Sequence, residues 1–122
     1  MRDLPKIFMD PPTQYVSVEM DAPGVSVLWD RAAQAAVIAT EPGPTIAARA
    51  FAVLHTAIFE AFAAHDAAAV GVATGDDLQQ PAGTPGSAML TAMHWAAHTA
   101  LTDLFPERVA TFGAVIAGTG AP

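Results

Sequence analysis

The chain has 122 residues, no cysteine, and 12 acidic against 5 basic side chains for a net charge of −7. This excludes a disulfide framework, thiolate metal sites and a cysteine nucleophile, and argues against nucleic acid and anionic membrane surfaces as partners. At 52% hydrophobic and 14% charged, with mean hydropathy +0.36, the composition is that of one folded domain burying about two-thirds of its unfolded surface.

Residues 1–24 read as a tail broken by Pro5, Pro11, Pro12 and Pro23, with a weakly alternating, extended piece at Tyr15–Met20. MRDLPKIFMDPP contains no apolar leader segment. No run approaches the roughly 20 apolar residues of a membrane span. The expectation is a soluble, cytoplasmic protein.

Ser26 is the predicted N-cap of a first helix from about Val27 to Thr40, with Trp29, Ala32, Ala33, Ala36 and Val37 as its buried stripe. Pro42-Gly43-Pro44 ends that helix and presets the backbone of the next. From Ile46 to His65 the polar side chains are Arg49, His55, Thr56, Glu60 and His65. A helix so apolar is expected to be the central one, buried on most of its circumference, with Ala47, Ala50, Phe51, Leu54, Ala57, Ile58, Ala61 and Phe62 as its broad face. It should end near Asp66.

Residues 71–86, GVATGDDLQQPAGTPG, have no apolar period and read as a mobile connector; a lid or contact loop is the functional alternative. Ser87 or Thr84 should cap a third helix to about Leu104, its apolar face Met89, Met93, Ala96, Ala97, Ala100, Leu101 and Leu104. Phe105-Pro106 breaks it. A short fourth helix should start at Pro106, bury Val109, Phe112 and Ile116, and stop at Gly118, leaving a frayed 119–122. The predicted fold is all-α: a partial bundle of about four helices over 25–118.

His94 and His98 stand four apart, a spacing by which two imidazoles can share a metal, but no glutamate or third ligand accompanies them and the metal reading is rejected. His55, between Leu54 and Ile58, is expected to be a core histidine donating to a backbone carbonyl. Arg49 and Glu60, if buried, need partners: Asp30 or Glu41 for the first, Arg31 or Arg108 for the second. Asp76-Asp77 reads as a solvated turn, since calcium needs more carboxylates. The residues themselves nominate no catalytic or cofactor-binding group.

Trp29 with Ala32, Ala33 and Ala36, then PGPTIAAR, AVLHTAIFEAFAAHD and WAAHTALTDLFP, together resemble the N-terminal region of bacterial vanadium-dependent haloperoxidase-like proteins, of the superfamily that includes acid and lipid phosphatases. The resemblance spans roughly residues 25 to 115. Glu60, Phe62 and His65 stand where that family would place Asp, Trp and Tyr. It implies an N-terminal scaffold of a larger all-α enzyme, a peroxidase (oxidoreductase) or a phosphatase. The chemistry of such proteins lies in a C-terminal half bearing a Lys, an Arg, a Ser-Gly-His run, and then an Arg and a metal-bonding His. None has a counterpart here, and vanadate is implied only for a full-length relative. Five basic residues, two of them Arg2 and Lys6 in the tail, are few for an oxyanion site.

The resemblance thus implies a segment inactive alone, whose partner is the catalytic half or another copy of itself through apolar helix faces. The alternative is a free-standing helical module that binds a protein partner. Some of Phe51, Phe59, Phe62, Trp95 and Phe112 are expected to form an exposed apolar patch.

Overall fold

The computed structural model describes residues 24–122; the predicted tail and its extended piece at Tyr15–Met20 lie outside the described residues. These form four α-helices: α1 Val25–Thr40, α2 Pro44–Ala64, α3 Gly86–Leu104 and α4 Val109–Thr119, with a 3-10 turn at Pro106–Arg108 before the last. There is no strand among the described residues, only an isolated bridge between Gly71 and Gly75. The fold is all-α, as the sequence predicts.

The helix boundaries follow from local chemistry, with corrections. α1 starts at Val25 behind Gly24, so Ser26 is inside the helix and caps nothing. It ends at Glu41, which takes up left-handed backbone (φ 50) and donates its N–H to the Val37 carbonyl. Pro42 and Gly43 make the corner, Gly43 at φ 89, and Pro44 opens α2, where its missing N–H costs nothing. α3 begins at Gly86 behind Pro85, and the Thr84 hydroxyl turns back to the Pro81 carbonyl instead of capping it. The last helix starts at Val109, after the Pro106–Arg108 turn, and runs through Gly118 to stop at Gly120 in left-handed backbone (φ 74). A glycine inside a short helix lowers its propensity without ending it.

The core is one cluster of Trp29, Ala32, Ala33 and Ala36 from α1, Ala50, Leu54 and Ile58 from α2, Ala97 and Leu101 from α3, Phe105, and Phe112 and Ile116 from α4. Trp29, Leu54, Leu101 and Phe112 are its largest fully enclosed side chains. Each contributes about 1.5–3 kcal/mol by leaving water, so these few dominate a core otherwise filled with alanine. α2 and α3 form the main pair, with α1 and α4 laid against them.

α2 departs from expectation in two ways. Of its predicted face, Ala50, Leu54 and Ile58 are buried and Ala47, Phe51, Ala57, Ala61 and Phe62 only half-buried; Ile46, Ala48, Ala52 and Phe59 are exposed. The helix is therefore not buried around most of its circumference, because α1 and α3 cover one flank, while among the described residues the other meets only the chain around Gly71–Thr74, at Glu60 near its end. In addition, its 21 residues at mean hydropathy 1.5 are long and apolar enough to cross a membrane, with 22% of that stretch buried. The reading that no segment reaches that length is corrected. Length and composition alone do not place the helix in a bilayer, since a core helix passes the same test.

On the last helix Val109 is 48% exposed, against expectation, because the turn at Pro106–Arg108 carries it to the outer side.

Candidate functional site

Three sets of polar side chains and one apolar face are the chemically distinctive parts of this fold. The first set lies at the α1–α2 seam. His55 Nε2 meets Asp30 Oδ1 at 2.8 Å, and Gln34 donates to the other Asp30 oxygen at 2.6 Å. The bond from His55, with that from Gln34, holds the Asp30 carboxyl below the usual range against the opposing effect of burial. Sequence reasoning placed His55 in the core donating to a backbone carbonyl; it is instead half-exposed and bonded to a carboxylate. Asp30 is thereby taken, and Arg49 is exposed with no ion pair to Asp30 or Glu41.

The second set ties the 65–85 loop to α2. Glu60 accepts the Ala73 N–H at 2.6 Å and the Thr74 hydroxyl at 2.7 Å. These bonds, the Ala73 N–H foremost, keep its carboxyl below the ordinary glutamate value. Arg31 and Arg108 were the expected partners; loop groups have their place because the chain turns back at Gly71 against the carboxylate. A Cβ at Gly71 would overlap Glu60 Oε2 and lie 2.7 Å from Thr74 Oγ1. Asp66 Oδ1 receives the Ala68 and Ala69 N–H groups, and the Gln80 N–H bonds the Ala64 carbonyl at the end of α2. The segment read as a mobile connector is thus fastened to α2 at several points. Between it and the end of α2 lies an open cavity of about 660 Å³ lined by His65, Asp76, Gln79, Gln80 and Thr84 among others. His65 is engaged through Nδ1 with the Ala61 carbonyl at 3.0 Å.

The third set joins α1 to α3. Trp29 donates its indole N–H to His94 Nδ1 at 2.9 Å. His98, one turn on, presents its ring at 81° to Trp29 and at 72° to Trp95. The two histidines are thus used in aromatic packing: the Nδ1 lone pair of His94 is occupied, and no group of three His, Asp or Glu side chains suited to a metal exists among the described residues. Burial pushes the His94 pKa down from 6.5. No sequence signal pointed to Trp29 as the partner, because the two residues are 65 apart and meet only through helix packing.

The outer side of α2 is the fourth feature: Ala52, Val53, Thr56 and Ala57 line a shallow, mainly apolar groove of about 380 Å³, with the exposed Arg49 one turn before it and Glu60 one turn after. Ile46 at 59% and Phe59 at 37% exposure flank it along the same helix. Of the five aromatics expected in an exposed patch, Phe112 is fully buried, Phe51 and Phe62 are half-buried, and Phe59 and Trp95 are exposed. Phe112 is enclosed because α4 folds back on α3.

No protein-family model, no curated protein and no solved structure matches this chain.

Proposed function

We propose that these residues are the N-terminal helical scaffold of a vanadium-dependent haloperoxidase-like protein of the acid-phosphatase type, structural in role and inactive by itself. The observation that carries the reading is the outer face of α2. A helix with only Arg49, His55 and Glu60 as ionisable groups buries Ala50, Leu54, Ile58 and Ala63 and leaves Ile46, Ala52 and Phe59 to solvent. Such a face is suited to further helices packing on it, as the sequence resemblance implies.

The described residues do not fit a vanadate. Arg31, Arg49 and Arg108 stand on three separate elements, and none lines the cavity beside the loop or the groove on α2. An oxyanion is held by several donors converging on one point. No chemical step is therefore assigned to this chain.

The second reading, a free-standing module that self-associates or binds a protein partner, draws on the same face. One experiment tests the scaffold reading and a second separates it from the module. Purified chain assayed with vanadate, peroxide, bromide and monochlorodimedone should give no turnover, and vanadate-dependent turnover would overturn the scaffold reading. Genomic sequence following the codon for Pro122 should encode, in frame, the Lys, Arg, Ser-Gly-His, Arg and His of a catalytic half. A stop codon with no such frame would favour the module.

A further inference from the structure

Two neighbouring residues of α1 each hold a histidine from a different helix. Trp29 donates to His94 of α3, and Asp30 bonds His55 of α2. Trp29 is fully buried, and its indole nitrogen can only donate. His94 must therefore offer a bare lone pair at Nδ1 and carry its proton on Nε2. A protonated imidazole has N–H groups at both nitrogens and no acceptor left. Two donors would then face each other at the α1–α3 seam, and the indole N–H would lose its partner inside the core, a costly arrangement.

We propose that the Trp29–His94 hydrogen bond is a pH-sensitive latch: protonation of His94 releases α1 from α3, while α1 stays on α2 through the core side chains the two helices share, with Asp30–His55 as a minor tie.

Among the described residues nothing offers His94 a compensating charge. From α1 the adjacent ionisable group is Asp30, already bonded by His55 and Gln34. From α2 the ionisable side chains are Arg49, which is exposed, His55 on Asp30, and Glu60 on the loop. On α3 itself the nearest is His98, set edge-on to Trp29, with Asp103 exposed beyond it. The Pro106–Arg108 turn carries Glu107, which is exposed, and Arg108, and α4 has no ionisable side chain. Desolvation is accordingly what lowers the His94 pKa below 6.5. With the folded value depressed, the stabilisation is complete above about 6.5, the unfolded value, and is lost as pH falls below it through the folded value. Asp30, whose carboxyl is held below the usual range, stays ionised across this interval and keeps its tie to α2. Opening the seam uncovers Trp29 and the alanine surface of α1.

The test is a pH titration of the whole ¹⁵N-labelled chain, from about pH 8 to about pH 5, following the two indole N–H resonances and the histidine rings. The Trp29 indole is expected to shift with the His94 midpoint, below that of an ordinary histidine. Its protection from solvent exchange, referred to a free indole at the same pH, should fall as pH drops to that midpoint and level off below it. The Trp95 indole, which donates to the Pro122 carbonyl, should not follow. His94→Gln, which keeps an acceptor that cannot titrate, should abolish the transition, and His98→Gln should keep it. A Trp29 indole that stays protected and unshifted while His94 titrates would overturn the proposal, and the unaltered chain decides this even if a variant fails to fold. A transition persisting in folded His94→Gln would overturn it equally.

Discussion

At the scale of single residues the fold turns on a few side chains that answer to partners far along the sequence. Glu60 is one. Its carboxylate is fixed by the Ala73 N–H and the Thr74 hydroxyl, so Gly71 has to pass against it without a side chain. Gly71→Ala should displace Glu60 from both bonds and destabilise the loop by about 1–3 kcal/mol, the usual range for overpacking. Hydrogen exchange of the Ala73 amide checks this, with unchanged protection as the contrary result. Glu60 also sets a pH dependence. Its folded pKa lies below 4.5, so its contribution is fully present above that value and is lost as pH falls through the depressed one. Limited proteolysis within 66–85 should therefore quicken in acid, and Glu60→Gln should show faster cleavage already at neutral pH. Asp30 and His55 form a contact of a different weight. With side chains 33% and 41% exposed, the pair is worth little more than a surface ion pair, about 0.2–1 kcal/mol.

At the scale of elements the four helices owe their stability to a narrow set of contacts. Leu54 is fully buried where α2 meets the core, so Leu54→Ala should cost about 2–5 kcal/mol. Urea denaturation measures this, and a loss below about 1 kcal/mol would show that the site collapses around the smaller residue. Ile46, two turns earlier near the start of the same helix, is open to solvent, and its truncation should cost almost nothing. The order of helices, the stripe on α1, the Ala97–Leu101 centre of the stripe on α3 and the proline corner before α2 were legible in the sequence, because period and Pro-Gly chemistry act within a few residues. The N-caps were not legible: Ser26, Thr84 and Ser87 have capping side chains, yet Gly24 and Pro85 precede the first turns. Packing fixes where a helix begins when its capping bond is worth only about 1 kcal/mol. The partners of His94, His55 and Glu60 were equally hidden, since each depends on which helix lies opposite. The apolar period of α2 showed a core helix but not how much of it this chain could cover.

At the scale of the whole molecule, a strongly acidic chain carries a largely apolar helix that the described residues bury on one flank only. Hydrophobic association of that face gains about 25 cal/mol per Å² of apolar area before association costs are subtracted. A net charge of −7 on each copy opposes it. Salt should therefore promote association: between about 0.01 M and about 1 M ionic strength the screening length falls from about 30 Å to about 3 Å, removing most of the repulsion. Sedimentation at the two ionic strengths checks this, and a mass that falls with salt would mean that ion pairs hold the copies together. The most direct measurement of whether α2 presents a seat for further protein is light scattering on the purified chain across a concentration series, with binding of a hydrophobic dye. The expected result is a mass that rises above the 12.5 kDa of one chain, accompanied by dye binding. Both should be reduced by Ile46→Glu, which places a favourable charge in the first turn of α2, and not by Thr111→Glu on the exposed side of α4. A monodisperse 12.5 kDa monomer at every concentration, melting sharply and binding no dye, would contradict the scaffold account.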